Sequence, residues 1–238
     1  MEETIKIRTI NGGLIFKHTC EDNTIKITLE KAVELKINLT MANLDSADLS
    51  YSNLRSANLS CASLEKANLH CANLFNADLS YADLFGADLK FANLHGASLE
   101  KADLSRANLG DASLEDAILI DIEVDELTSF FYIQCPEEGS FVAWKKAGSF
   151  IVKLEVCKDA LRSSATTSKC RCSKAKVLEI QHLDGSKTSI KEIESDYDRY
   201  FIYKVGKTVE VKDFDTDRWL ECTSGIHFFM NREIAVKY

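Results

Sequence analysis

The chain has 238 residues, 45% hydrophobic and 28% charged, with a net charge of −8. That balance excludes a disordered chain, and the acidic surplus argues against nucleic-acid binding, which takes clustered Lys and Arg. No stretch reaches the roughly 18 apolar residues that span a bilayer, and Met1-Glu2-Glu3-Thr4-Ile5-Lys6 lacks the basic start and apolar run of a signal peptide, so no membrane association is expected.

Residues 4–18 read as a hairpin. Ile5, Ile7, Leu14 and Phe16 alternate with polar residues around the turn signal Asn11-Gly12-Gly13. Residues 28–36 read as a short helix with Leu29, Ala32, Val33 and Ile37 on one face, Glu30 and Glu34 early and Lys36 late. Ile37 and Leu39 occupy the inward positions of a degenerate repeat, so residues 1–40 are expected to form a hairpin-helix cap on the segment after residue 40.

From Leu44 to Leu119, sixteen leucines recur every five residues, and the residue two before each is Ala except at Ser52. A five-residue step turns a helix by about 140°, which scatters the leucines round every face. In a strand an odd step sends successive leucines to opposite faces. All of them can be buried only if the backbone changes direction once per repeat and coils as a solenoid, with Leu and Ala pointing to its axis. The position before each Leu holds seven Asn, five Asp, three Ser and Ile118. Such short polar side chains bond nearby backbone and tolerate turns, so Asp48, Asp78, Asp83, Asp88 and Asp103 are read as structural.

Stretches such as Ala57-Asn58-Leu59-Ser60-Cys61 and Ala102-Asp103-Leu104-Ser105-Arg106 resemble the A-(D/N)-L-x-x pattern of the pentapeptide-repeat family. The resemblance implies a mainly β fold: a right-handed, quadrilateral β-helix with four repeats per coil. Sixteen repeats would make four coils, a rod about 20 Å long at roughly 4.8 Å per stacked strand. The rod is expected over 41–122. Its residues 41–120 carry eleven acidic and five basic side chains, a net −6. The alternation of Ile118, Ile120, Ile122 and Val124 suggests a last strand leaving the coil.

Residues 130–238 read as a compact α+β domain. Strand-like runs span Phe141 to Trp144, Phe150 to Val156, Lys176 to Leu183, Tyr200 to Val205 and Thr208 to Phe214. Asp184-Gly185 marks a hairpin, and a helix starts near Asn231 over Ile234 and Val236. The stretches Ser168-Lys169-Cys170-Arg171-Cys172-Ser173-Lys174-Ala175-Lys176-Val177-Leu178-Glu179-Ile180 and Cys222-Thr223-Ser224-Gly225-Ile226-His227-Phe228-Phe229 resemble a domain of unknown function that accompanies pentapeptide repeats in phage and bacterial proteins. That resemblance implies a fold partnership and a phage origin, and no activity.

Eight irregularly spaced cysteines, without a signal peptide, point to reduced thiols in the cytoplasm. Cys170, Cys172, Cys222 and His227 are zinc-ligand types, but Cys-x-Cys is not the usual knuckle and the halves lie fifty residues apart, so core cysteines are preferred. A Cys222–His227 nucleophilic pair lacks an orienting third group. The basic run Lys158, Arg162, Lys169, Arg171, Lys174 and Lys176 suits a phosphorylated ligand, against the preferred reading of a solvated, mobile loop. No P-loop or G-x-G-x-x-G appears; no enzyme, metal or cofactor is expected.

Stacking of residues twenty apart puts Tyr51, Cys71, Phe91 and Asp111 in one outer column beside Ser50, His70, Lys90 and Gly110, with Phe75 and His95 on the adjoining side. Tyr51, His70, Phe75, Phe91 and His95 form the candidate contact surface, with packing against the C-terminal domain as the alternative to an external partner. The leading expectation is a non-catalytic protein-interaction protein. A second follows from the resemblance: some pentapeptide-repeat proteins act as DNA mimics that bind type II topoisomerases. The acidic rod permits that role; its shortness and the C-terminal domain count against it. A third is a ligand-binding or enzymatic C-terminal domain with the rod as appendage. Oligomeric state does not follow from the sequence.

Overall fold

The computed structural model describes residues 1–238, is mainly β, and divides into two compact units, Met1–Tyr132 and Ile133–Tyr238.

The first unit begins with strands β1 (Glu2–Arg8) and β2 (Leu14–Glu21), paired antiparallel from Glu2 opposite Glu21 to Arg8 opposite Leu14. Helix α1 (Ile25–Glu34) starts three residues before the sequence expectation, because Thr24 caps it by accepting from the Ile27 amide at 3.1 Å. Leu29 and Ala32 are fully buried, as their spacing predicts, whereas Lys36 lies past the helix at φ 55°. The segment is bonded to the first repeats: Ile10 N donates to Met41 O at 2.9 Å, Asn43 N to Arg8 O at 2.8 Å, and Asn53 N to a Glu30 carboxylate oxygen at 2.8 Å.

From Asn43 onward, parallel bridges join residues twenty apart, such as Asn43 to Ser63, Asp48 to Asn68 and Asn53 to Asn73. One turn of the chain is therefore four repeats. Leu54 N donates to Asn73 O and Asn73 N to Ser52 O, both at 2.8 Å, so each repeat is bonded to the repeats above and below it. Every leucine from Leu44 to Leu114 is buried; Leu119, at the fading end, is half-buried.

The change of direction is local. Every fifth residue from Met41 to Asp121 has φ between 53° and 66°, and only Gly86 and Gly96 among them are glycine. A left-handed non-glycine residue costs about 1–2 kcal/mol. The ladder offsets it from Met41 to Lys101, where the amide of each such residue donates to a carbonyl of the next turn: Tyr51 N donates to His70 O and Lys66 N to Phe85 O, each at 2.8 Å. The column before Leu completes the corner. Asp78 Oδ1 accepts from Ser80 N at 3.0 Å, Asp103 Oδ1 from Ser105 N at 2.8 Å, and Asn73 Oδ1 from Phe75 N at 3.2 Å. These aspartates serve the corner as asparagine does, in line with the structural reading.

Past Leu119 the structure differs from the alternation. The chain does not leave the coil: Ile118 bridges Ser98, Glu123 bridges Asp103, and Ser129 bridges Asn108. The last step is twenty-one residues rather than twenty. Thr128, buried, takes an inward place and donates to Leu104 O at 3.1 Å. A polar residue at an inward position, plus one extra residue, hides the continuation from a pattern of apolar spacing.

The second unit is built on a seven-stranded antiparallel sheet. Its strands are β3 (Phe141–Ala147), β4 (Phe150–Val156), β5 (Arg162–Ser164), β6 (Lys169–Cys172), β7 (Lys174–His182), β10 (Thr208–Glu210) and β11 (Ile226–Phe229), in the order β10-β7-β4-β3-β11-β6-β5. Strands β8 (Glu192–Glu194) and β9 (Ile202–Lys204) form a separate hairpin. Helix α2 (Arg232–Lys237) is capped by Asn231, which accepts from Glu233 N at 2.8 Å. Val152, Leu154, Val177, Ile226 and Phe228 belong to the core.

Candidate functional site

The repeat geometry groups the five residues singled out in the sequence into two ladders. Four-repeat turns bring Tyr51, His70 and Phe91 together: the His70 ring meets Tyr51 edge-on at 5.8 Å and Phe91 at 5.5 Å. Tyr51 is 67% exposed and Phe91 47%. Lys90 Nζ lies 4.8 Å from the Phe91 ring centre, and His70 Nδ1 is 3.9 Å from an Asp88 carboxylate oxygen.

Phe75 and His95 form the second ladder. Their rings stack at 5.1 Å, and the Arg55 guanidinium covers the other face of Phe75 at 3.9 Å. Arg55, Phe75, His95 and Glu115 are spaced by twenty, so they form one column. Glu115 and Asp116 each place a carboxylate oxygen 3.7 Å from a different nitrogen of His95. These three side chains could approach an ion, but the carboxylates address different ring nitrogens, and Phe75 occupies a ring face. The rest of the rod repeats the device, with Lys101 over Tyr81 at 5.2 Å and Arg106 over Phe85 at 5.3 Å. Most outer aromatics are thus engaged by a neighbour one turn away. Tyr51 is the most open of the five candidates.

In the second unit the zinc-type set separates. The β6–β11 register places Cys170 opposite Phe228, Cys172 opposite Ile226 and Arg171 opposite His227. Opposed residues share a face and neighbours alternate. Cys170 and Cys172 therefore lie in the apolar core, while His227 lies on the other face with Lys169 and Arg171. Burial pushes the Cys172 thiol up to about 12, and a hydrogen bond with Cys135, aided by burial, pushes Cys170 up as well. Both remain thiols, the core-cysteine outcome. Cys222 is exposed and accepts from Lys169 Nζ at 3.3 Å. His227 Nε2 is 3.0 Å from Glu221 O, and burial lowers its pKa to about 4. All eight cysteines are free.

The basic run is not a mobile loop. Lys169 and Arg171 lie on β6, and Arg171 is 2% exposed. Its guanidinium donates to Asp215 O at 3.0 Å, Ser224 O at 3.1 Å and Asp217 O at 2.6 Å, fastening the β10–β11 connection to the sheet. Arg162 donates to Pro136 O and Cys157 O at 3.0 Å. With their terminal nitrogens bonded to carbonyls, and Arg162 Nε buried, neither arginine is free to cradle a phosphate.

What the sequence reading missed is a cavity of about 580 Å³ in the second unit, reached by Lys145 of β3 and His227 of β11 and bordered by Asp196, Tyr197 and Tyr203. The available signal was the inward register of β3, where Phe141, Ala143, Lys145 and Ala147 share a face and one of the four is a lysine.

Residues 42–80 and 82–119 match the family described as Pentapeptide repeats (8 copies), and residues 131–235 match a family of unknown function, DUF5758. Both resemblances drawn from the sequence are thereby shown. Among solved structures the chain is similar to Rfr23, a pentapeptide repeat protein of the cyanobacterium Cyanothece 51142, with 45% identity over 36% of this chain and 58% of that one and a TM-score of 0.36. A pentapeptide repeat protein of the Arabidopsis thaliana thylakoid lumen is 32% identical over 40% of this chain and 62% of its own, with a TM-score of 0.34. QnrB1, a plasmid-mediated fluoroquinolone resistance protein, is 18% identical over 35% of this chain and 60% of its own, with a TM-score of 0.22. The chain spans less than two thirds of the length of each of the three. No curated protein matches it, and no helix is long and apolar enough to cross a membrane.

Proposed function

We propose, on the premise that this chain belongs to the pentapeptide-repeat family through residues 42–119, that it is a non-catalytic platform whose repeat unit presents outer side chains to a protein partner. We read that unit as four coils of a right-handed, four-sided β-helix closed by residues 1–40. The observation that carries the proposal is the Tyr51–His70–Phe91 ladder, where two exposed rings flank a histidine on a rigid, hydrogen-bonded surface. Exposed aromatics carried on a hydrogen-bonded backbone favour contact sites, because little backbone entropy remains to be lost on binding. The net −6 on residues 41–120 favours a basic partner. A cytoplasmic setting and a phage origin belong to the same reading.

The test is a pull-down from bacterial lysate with the wild type and a Tyr51→Ala/Phe91→Ala variant. Both rings are exposed, so the variant should keep its fold. A partner retained by the wild type and lost by the variant supports the platform; identical partners remove these residues from it.

The acidic repeat surface supports one further reading, a DNA mimic directed at a type II topoisomerase. A gyrase supercoiling assay with neither inhibition nor protection at micromolar chain would end it.

A further inference from the structure

The second unit carries a buried lysine whose amine has no protein partner. Lys145 is 7% exposed and lies on the inward face of β3 between Ala143 and Ala147, both fully buried. Its Nζ has neither a hydrogen bond nor an ion pair. It faces two rings instead, at 5.8 Å from the Tyr197 centre and 5.9 Å from Tyr203. The neighbouring carboxylate of Asp196 accepts from the Gly148 amide at 2.7 Å. The Lys145 side chain borders the 580 Å³ cavity, a volume in the range of small-molecule sites, so its amine is open to a ligand there.

The surroundings narrow the ligand. Lys169, the second buried lysine, is already engaged by Tyr238 Oη at 3.1 Å, Cys222 Sγ at 3.3 Å and Glu221 at 3.6 Å. Lys145 is therefore the buried cation at this cavity without a protein partner; the less buried Lys146 and Lys212 border it as well. Asp196, Asp198, Glu210 and Asp213 also border the cavity and oppose a dianion. The apolar part of the wall is aromatic, with Tyr197, Tyr203 and Phe201. Burial pushes the Lys145 pKa down against the opposing pull of Asp196, and an arriving anion would pull it back up.

We propose that this cavity binds a small aryl carboxylate, whose carboxylate accepts from Lys145 Nζ and whose ring packs between Tyr197 and Tyr203. The site is independent of the repeat surface. It gives the second unit a ligand-binding role of its own.

The experiment is isothermal titration of the full chain with benzoate, 3-phenylpropanoate and indole-3-carboxylate, with benzyl alcohol and inorganic phosphate alongside. At least one carboxylate should bind saturably, and benzyl alcohol and phosphate at least about tenfold more weakly, the ratio set by one charge-assisted hydrogen bond. Lys145→Met, which removes a buried charge at similar volume, should weaken the carboxylate by about ten- to a hundredfold while its melting temperature does not fall. Tyr197→Ala, at an exposed position that leaves the core intact, should weaken it by about three- to tenfold. The proposal is overturned if no carboxylate binds, if phosphate or benzyl alcohol binds as tightly, or if Lys145→Met binds like the wild type.

Discussion

The two units bury similar kinds of residue by opposite means. In residues 1–132 one solution is copied: Leu and Ala inward, Asn or Asp at the corner, a left-handed residue after it, and backbone bonds to positions twenty away. In residues 133–238 nothing is copied. β3 has β4 on one side and the distant β11 on the other, and the core includes three cysteines, Cys135, Cys170 and Cys172, with Phe228. In the first unit, stability comes from repetition of a locally strained corner. In the second it rests on side chains such as Arg171 that join a strand to a loop more than forty residues away.

The largest test of that contrast is Leu79→Ala. Leu79 is fully buried among identical neighbours with no flexible side chain able to collapse into the gap, so the substitution should cost about 2–5 kcal/mol in chemical denaturation. Next is Arg171→Lys. A lysine has three donors but on a single nitrogen, so it cannot reach carbonyls divided between the two arms of the guanidinium fork, and the orphaned oxygens should cost about 2–3 kcal/mol; full stability in the variant would show the loop is held by other means.

A smaller effect, of opposite sign, is expected at Ser52. It interrupts the alanine column, is buried, and its hydroxyl has no partner. Ser52→Ala should raise stability by about 1 kcal/mol, and a loss would mean the hydroxyl has a use.

The smallest concerns acid. Hydrogen bonds from Ser50 hold the Asp48 carboxyl below its usual 3.8. A depressed folded pKa stabilises above the unfolded value, and that contribution disappears as pH falls below about 4. Asp48→Asn keeps the corner acceptor, as at Asn58 or Asn68, so it should leave stability at pH 7 nearly unchanged and shift the acid-unfolding midpoint, followed by circular dichroism, to lower pH. An unshifted midpoint would assign acid loss to other carboxylates, among them Asp215 in the second unit.

Legibility in the sequence divides along the same line. The five-residue period discloses the corner and the buried column because each repeat solves the same local problem. It fails where the period slips by one residue before Ser129 and a threonine turns inward. In the second unit, Lys169-Cys170-Arg171-Cys172 resembles a polar loop, yet it is a buried strand, since its charged residues find partners more than forty positions away. Separation of Cys170 and Cys172 from His227 depends on β6–β11 register, which only tertiary pairing defines. The outer ladders are legible as columns, because spacing alone stacks them. Their cation–ring contacts depend on rotamers, which spacing does not set.

Bridges that step by twenty from Asn43 to Glu123 make the repeat surface sensitive to length in a discrete way. Gain or loss of a single five-residue unit would leave the buried column intact but rotate all later decoration by a quarter turn, parting Tyr51 from Phe91 and Phe75 from His95. Only a change of four units restores the alignment. Duplication within such a gene would thus shuffle a recognition face without touching the interior that supports it.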